Sequence, residues 1–124
     1  MLSLSQTVRV FVCTHPTDMR RSFDGLCGMA ENLMRQNPLS GHLFVFRNRN
    51  RDRLKILYWD RDGLAIWYKR LEKGGFQLPT DLKPGDDEQA NAEISTDELM
   101  WLLGGVDLAS VKRRKRYSHP SKPR

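Results

Sequence analysis

The chain has 124 residues, of which 39% are hydrophobic and 29% are charged, and its formal net charge is +6. This length allows one domain with a modest core, and this composition excludes a chain that is disordered throughout. Because the sequence contains neither an apolar run of membrane-spanning length nor a signal-peptide pattern at its N-terminus, we expect a cytoplasmic protein that does not contact membranes.

The first predicted elements are a strand and a helix. Residues 7–13 predict a strand, because Val8, Val10 and Val12 alternate with other residues and β-branched side chains suit a pleated sheet. A break follows at residues 15–18, where Thr17 or Asp18 can cap a helix. Apolar residues then recur at steps of three and four, which predicts the main helix over residues 18–36.

The next segment changes to a period of two. Residues 42–48, 53–60 and 64–71 predict three strands of an antiparallel β-meander, about residues 42–71. We expect Asp62 and Gly63 to form a two-residue hairpin loop, in a turn that needs positive φ at both positions. This loop places Trp59 opposite Ile66, and residues 53, 55, 57 and 59 on one face. The other face, with residues 54, 56 and 58, is the better candidate for the core.

The C-terminal third differs in charge from the rest. Residues 1–80 hold 13 Lys and Arg against 7 Asp and Glu, residues 81–111 hold 1 against 8, and residues 112–124 hold 7 against none. The fold class we predict is α+β, with residues 1–79 as the folded core. Residues 80–94 then form an acidic linker, residues 95–105 a short helix with a capping box at Ser95 and Glu98, and residues 106–124 a disordered basic tail. Alternatively, the acidic block neutralises the basic tail within one molecule.

Two basic clusters indicate DNA as a partner. One places four arginines at alternating positions across the turn that joins the first two strands of the meander, and the other lies in the tail. Guanidinium groups bind phosphates in bidentate fashion, and asparagines can add hydrogen bonds. Lys55 and Arg70, from the adjacent predicted strands, are added to these two clusters. The predicted DNA-binding residues are Arg47, Asn48, Arg49, Asn50, Arg51, Arg53, Lys55, Arg70, Lys112, Arg113, Arg114, Lys115 and Arg116. The alternative is a solvated turn with exposed arginines.

Two aromatic residues fall on the same predicted face as part of this basic set. Trp59 and Tyr68 can serve as a platform on which unpaired bases stack. The alternative is that both side chains belong to the core, because aromatic residues in strands are more often buried than bound to a ligand.

The sequence gives no sign of catalysis or of a bound metal or cofactor. It contains no Walker motif, no nucleophile elbow and no zinc-ligand spacing. Cys13 and Cys27 are expected to be small buried residues. Turn and capping chemistry accounts for most of the acidic residues considered as catalytic groups. This leaves Asp24 and Glu72 as an unproven catalytic pair. We therefore expect a protein that is not an enzyme.

Several long strings in the sequence resemble a known family. Residues 41–49, 54–63, 66–72 and 75–76 are similar to the TnpB, or Orf2-like, accessory proteins of insertion sequence 66 type elements. The similarity continues at residues 17–20, 23–26, 99 and 102–105, and so covers nearly the whole chain. The resemblance implies an accessory factor in the transposition of a bacterial mobile element, acting beside a separate DDE-type transposase. It implies no active site.

Three hypotheses follow for the function of the chain. The first is a non-catalytic module that binds DNA or bridges DNA and the transposase. The second is a small metal-dependent nuclease. The third is a pure protein adaptor that docks on the transposase through the helix carrying Leu99 and Leu103.

Overall fold

The computed structural model describes residues 7–82, 90–104, 106–107 and 112–113. In chain order the elements are β1 (Val10–Cys13), α1 (Phe23–Asn32), β2 (Leu43–Arg47), β3 (Arg53–Asp60), β4 (Gly63–Arg70), a 3-10 helix (Pro79–Leu82), β5 (Asn91–Ile94), α2 (Thr96–Gly104), β6 (Val106–Asp107) and β7 (Lys112–Arg113). Strands β1 to β5 form one mixed sheet, and β6 pairs with β7 in a separate ribbon. This architecture confirms the α+β fold class.

The main sheet has the order β4-β3-β2-β1-β5. The predicted meander is confirmed, because β2, β3 and β4 pair in antiparallel succession. The sheet as a whole is mixed, since β1 pairs with β2 in parallel. The reason is the connection: α1 returns the chain from the end of β1 to the start of β2, and such a crossover joins parallel strands.

Both faces of the sheet are covered. One face packs against α2 and the segment after β4, in a core made of Val10, Val12, Leu43, Val45, Leu54, Ile56, Phe76, Leu78, Ile94, Leu99 and Leu102. The other face packs against α1, in a core made of Phe11, Cys13, Leu26, Met29, Ala30, Met34, Phe44, Phe46 and Leu57. The face with residues 54 and 56 is therefore core as predicted, but the opposite face is core as well.

The hairpin between β3 and β4 turns one residue earlier than predicted. Asp60 lies opposite Gly63, so the loop is Arg61 and Asp62, and the positive φ of 59° falls on Arg61. Trp59 lies opposite Leu64, two residues from its predicted partner Ile66. Moving the turn by one residue moves each partner by two, and a shift of two preserves the face. The predicted face assignments consequently survive the error in the turn.

Helix α1 is shorter than the predicted 18–36. Asp18 does not cap it. Its Oδ1 instead accepts a hydrogen bond from Arg20 N at 2.9 Å, and its carbonyl oxygen accepts one from Arg21 N at 3.1 Å, so residues 18–21 form a turn. The N-cap is Ser22, without a side-chain hydrogen bond. At the other end Arg35 has a φ of 58°, which ends the helical path.

The linker prediction fails at residues 91–94, which form edge strand β5. This strand pairs antiparallel with β1, and Arg9 joins Glu93 by two hydrogen bonds of 2.9 and 2.6 Å. Four residues lack the length to show a clear sequence pattern, so the strand depends on tertiary pairing.

The short helix and its capping box are confirmed. Glu98 N donates to Ser95 Oγ at 3.0 Å, and Ser95 N donates to Glu98 Oε1 at 2.9 Å. In the predicted tail, Val106 pairs with Arg113 and Asp107 with Lys112, so these four residues are strands and not disordered. Arg114, Lys115 and Arg116 lie outside the described residues.

Candidate nucleic-acid interface

The predicted DNA-binding turn is a braced loop, which we call the arginine loop (residues 47–53). Asn48 Nδ2 donates to Asp52 Oδ1 at 2.7 Å, and Asn48 Oδ1 accepts from Arg53 N at 3.0 Å. Arg51 has a φ of 64° and donates from its backbone N to Asn48 O at 3.1 Å. Asparagine and aspartate commonly stabilise turns in this way. The Asn48 amide, predicted to contact DNA, is thus used to shape the loop.

The arginine loop is also tied to the segments beside it. Its carbonyl groups at Arg47, Arg51 and Asp52 accept backbone hydrogen bonds from Thr17, Phe76 and Leu71 at 2.9, 2.7 and 2.7 Å. These bonds fix the loop against the β1–α1 connection on one side and the chain after β4 on the other. The loop therefore presents its side chains from a rigid frame.

Arg47 points into the fold. Its guanidinium group donates to Asp81 at 2.7 and 2.8 Å and to Phe76 O at 2.9 Å. The side chains of Arg47 and Asp81 are only 13% and 19% exposed. Arg47 therefore anchors the 3-10 helix to the sheet, although it was predicted as a DNA contact.

Asp81 is held as a carboxylate by this arrangement. Burial is the largest single influence on the pKa of Asp81 and raises it. The hydrogen bonds from Arg47 and from Leu78 N, together with the charges of Arg47 and Arg51, outweigh burial and lower the pKa below its ordinary value. Asp81 is consequently ionised at neutral pH.

Lys55 is also buried, with 8% of its surface exposed. Its Nζ donates to Met19 O at 2.8 Å and to Arg21 O at 2.7 Å, and it lies 4.8 Å from the centre of the Tyr68 ring. Lys55 thus holds the β1–α1 connection onto the sheet. Because Lys55 is buried against these internal partners, we leave it out of the proposed DNA surface, as we do the largely buried Arg47.

Two other arginines of the loop border an open groove between the β1–α1 connection and the arginine loop. The groove has a volume of about 540 Å³, and its basic residues are Arg20, Arg49 and Arg53. Its two carboxylates, Asp18 and Asp52, both have internal partners: Arg20 donates to Asp18 at 2.7 Å, and Asn48 donates to Asp52. Hydrogen bonds from the side chain and then the backbone of Arg20 lower the pKa of Asp18 to about 2.

A second recess continues this basic surface along the edge of the sheet. It is lined by Arg53, Tyr68, Arg70 and Glu72, and Arg53 and Arg70 are direct partners in the β3–β4 ladder. Because Arg53 lines both recesses, the basic residues form one continuous surface. We call it the arginine stripe, and it consists of Arg20, Arg49, Arg53 and Arg70.

The two predicted stacking residues differ in exposure. Tyr68 is 48% exposed at the second recess, while Lys55 lies against its ring. Trp59 is half-buried near the hairpin end of β3, opposite Leu64. Tyr68 therefore adjoins the arginine stripe, and no described contact joins Trp59 to it.

Sequence reasoning missed two residues that matter here. Arg20 lies far from the arginine loop in the sequence but lines the same groove, and its signal was an adjacent pair of arginines, Arg20 and Arg21, just before the helix. Asp81 was assigned to a linker, although it fixes Arg47. Both depend on contacts between segments that are distant in sequence.

The described residues contain neither a metal site nor a membrane span. Among them, no group of three or more His, Cys, Asp or Glu side chains could hold a metal ion. Asp24 lies in the first turn of α1, and Glu72 lies 3.6 Å from Arg70 Nε. None of the helices in that part of the chain has the length and apolar character needed to cross a membrane.

Comparisons with known proteins agree with the sequence resemblance. The family model described as IS66 Orf2 like protein matches residues 8–113. The uncharacterized protein y4hO of Sinorhizobium fredii is 38% identical over 107 residues, which cover 86% of this chain and 88% of that protein. The uncharacterized protein y4jC of the same organism is 35% identical over 114 residues, which cover 92% of each chain. No solved structure matches.

Proposed function

The chain belongs to the IS66 Orf2-like family, and on this premise we propose that it is a non-catalytic accessory protein of insertion-sequence transposition that binds DNA through the arginine stripe. The family supports a role in transposition. DNA binding, and a bridge from DNA to the transposase of the same element, are the parts that we propose from the residues.

The observation that carries the proposal is the continuity of the stripe. Two open recesses share Arg53, so four guanidinium groups follow one another from the β1–α1 connection to the sheet edge. Duplex DNA carries a phosphate charge about every 1.7 Å along its axis, and arginine binds phosphate through a bidentate fork. An open basic surface of this kind suits a polyanion that continues past the protein at both ends.

The tail supplies a second set of positive charges. Residues 112–124 hold seven Lys and Arg and no acidic residue. We propose that Lys112, Arg113, Arg114, Lys115 and Arg116 add nonspecific phosphate contacts to those of the stripe. Such contacts raise affinity without reading the sequence.

The nuclease hypothesis receives no support from the carboxylates of the groove. Two-metal hydrolysis needs several carboxylates that converge on metal ions ~3.5–4 Å apart. Both oxygen atoms of Asp18 accept hydrogen bonds from Arg20, and Asp52 Oδ1 accepts one from Asn48, so each carboxylate is engaged within the loop that carries it. We therefore propose binding and not cleavage.

An adaptor role through the predicted helix, α2, is a second candidate, with contacts from residues other than its buried leucines. Leu99 and Leu102 are fully buried against the sheet, so they are not available to a partner. Met100 and Trp101 of α2 are 45% and 47% exposed. Exposed aromatic side chains are enriched at protein interfaces, which favours these two residues for contact with another protein.

The test is a titration of labelled duplex DNA over a series of salt concentrations. Replacing Arg49 and Arg53 by Gln should reduce the logarithmic salt slope by up to about 1.8, since each phosphate contact contributes about 0.9. The control replaces Arg35 and Arg61 by Gln, which removes the same charge at sites outside the stripe. Equal loss in both variants, or DNA binding that does not depend on salt, would contradict the proposal.

A further inference from the structure

A third pocket adjoins the groove and is more enclosed than it. It has a volume of about 260 Å³ and shares Asn48 and Arg49 with the groove. Its other walls come from the end of β1, with Thr14 and His15, and from Arg47, Arg51 and Asp81. The DNA-binding surface proposed above does not use this pocket.

The charges around the pocket favour an anion. Three guanidinium groups face one carboxylate, and Arg47 already forms a bidentate pair with that carboxylate, Asp81. Arg51 is 55% exposed and its Nη1 lies 3.7 Å from Asp81 Oδ2, while Arg49 is exposed. Two positive charges are thus left over for a ligand.

Thr14, which lines the pocket, carries a polar atom that lacks a partner. The Thr14 hydroxyl oxygen is buried and has no hydrogen bond to any described residue. An unsatisfied buried hydroxyl is destabilising, so such a group is expected to have a ligand or water partner. A phosphate oxygen accepts hydrogen bonds from hydroxyl and guanidinium groups alike.

The enclosed shape of the pocket favours a terminal phosphate over a phosphate inside a strand. A strand that continues in both directions needs an entrance and an exit, which the open groove provides and the enclosed pocket does not. The end of a strand needs only an entrance. A terminal phosphate also carries a charge of about −1.5 to −2 and three acceptor oxygens, whereas a phosphate inside the chain carries a single charge.

We propose that this pocket binds the terminal phosphate of a DNA strand, with Arg49, Arg51 and Thr14 as its ligands and Arg47 as the group that offsets Asp81. The proposal rests on the proposed function, because it assumes that DNA reaches the adjacent groove. It adds a preference for strand ends over continuous DNA.

The experiment compares oligonucleotides of one sequence that carry either a 5′-phosphate or a 5′-hydroxyl group. The full chain should bind the phosphorylated form about tenfold more tightly, as expected for hydrogen bonds to a charged group. Arg51→Gln and, separately, Thr14→Val should reduce this ratio toward one. Arg53→Gln should weaken binding of both forms and preserve the ratio. Circular dichroism and thermal unfolding establish that each variant is folded.

Two further arms separate the proposal from its alternatives. Inorganic phosphate should compete only at concentrations far above that of the oligonucleotide; if it abolishes the ratio at the same concentration as the oligonucleotide, the pocket prefers free phosphate and the proposal is wrong. A ratio of one in the wild type, with salt-dependent binding retained, overturns the strand-end proposal and leaves the proposed function standing. Absence of binding to both oligonucleotides overturns both.

Discussion

Within the arginine loop, we expect one arginine, Arg47, to stabilise the fold and the others to contact DNA. The variant Arg47→Met tests the structural role of Arg47. This change removes the guanidinium group but keeps an unbranched apolar stem of similar reach. Three hydrogen bonds of 2.7–2.9 Å, to Asp81 and to Phe76 O, are lost. Asp81 then retains the backbone donor Leu78 N and the more distant Arg51.

The expected cost lies between two limits. Removing one partner of a fully buried ion pair costs about 3–5 kcal/mol, and an exposed pair contributes about 0–1 kcal/mol. With side chains 13% and 19% exposed, the Arg47–Asp81 pair is close to the buried limit, but Leu78 N and Arg51 still stabilise the carboxylate. We expect a loss of about 2 kcal/mol in the free energy of unfolding.

Urea denaturation at neutral pH measures this loss, and Arg49→Met is the matched control. Arg49 is exposed and has no described partner, so its replacement should change stability by less than about 0.5 kcal/mol. A double-mutant cycle with Asp81→Asn should give a coupling energy of at least about 1 kcal/mol. If Arg47→Met is as stable as the control, or lowers the DNA salt slope as much as Arg49→Met does, the assignment of Arg47 to the fold is wrong.

Four further predictions concern stability and the tail. Because the pKa of Asp81 in the folded protein lies below its ordinary value, the ionised carboxylate should contribute fully to folding stability above about pH 4. This contribution should disappear as the pH falls through the folded pKa, so the difference in stability between wild type and Asp81→Asn should shrink in urea unfolding at pH 3. A constant difference would contradict this. Lys55→Met should cost about 1–3 kcal/mol in thermal unfolding, because the carbonyl groups of residues 19 and 21 lose a charged donor, and an unchanged melting temperature would refute it. Gly28→Ala should stabilise α1 by up to about 1 kcal/mol, since a Cβ there meets only Asn32 Nδ2 at 4.0 Å; a destabilised variant would show an unseen contact. Removing residues 114–124, which leaves β7 in place, should lower the DNA salt slope without changing unfolding, and an equal slope would exclude the tail from binding.

The sequence predicted the strands of the meander because their pattern is local. Alternation of side chains over residues 53–60 and 64–71 marks each strand and its two faces. An error of one residue in the turn moves each cross-strand partner by two residues, so the face of each residue stays the same. The turn itself was misplaced because Asp62-Gly63 is a common loop pair, whereas here Arg61 takes the positive φ.

The roles of individual arginine and lysine side chains could not be predicted from the sequence. Arg47 and Arg49 occupy the same alternating pattern, and only the position of Asp81, more than thirty residues away, directs one of them inward. Lys55 has a charged side chain, which the sequence pattern places at the surface, but it donates hydrogen bonds to two backbone carbonyl groups at the end of the β1–α1 connection. Contacts of this kind depend on tertiary structure and leave no periodic signal.

Whether DNA lies along the arginine stripe can be tested by mapping the contact surface with NMR. Two-dimensional 1H–15N spectra of the labelled protein would be recorded during titration with a short duplex. We expect the largest shifts on the backbone amides of residues 18–21, 48–53 and 68–70, and on those lining the enclosed pocket when the duplex carries 5′-phosphates. Shifts confined to α2 around Met100 and Trp101, or spread without preference over the surface, would contradict this expectation.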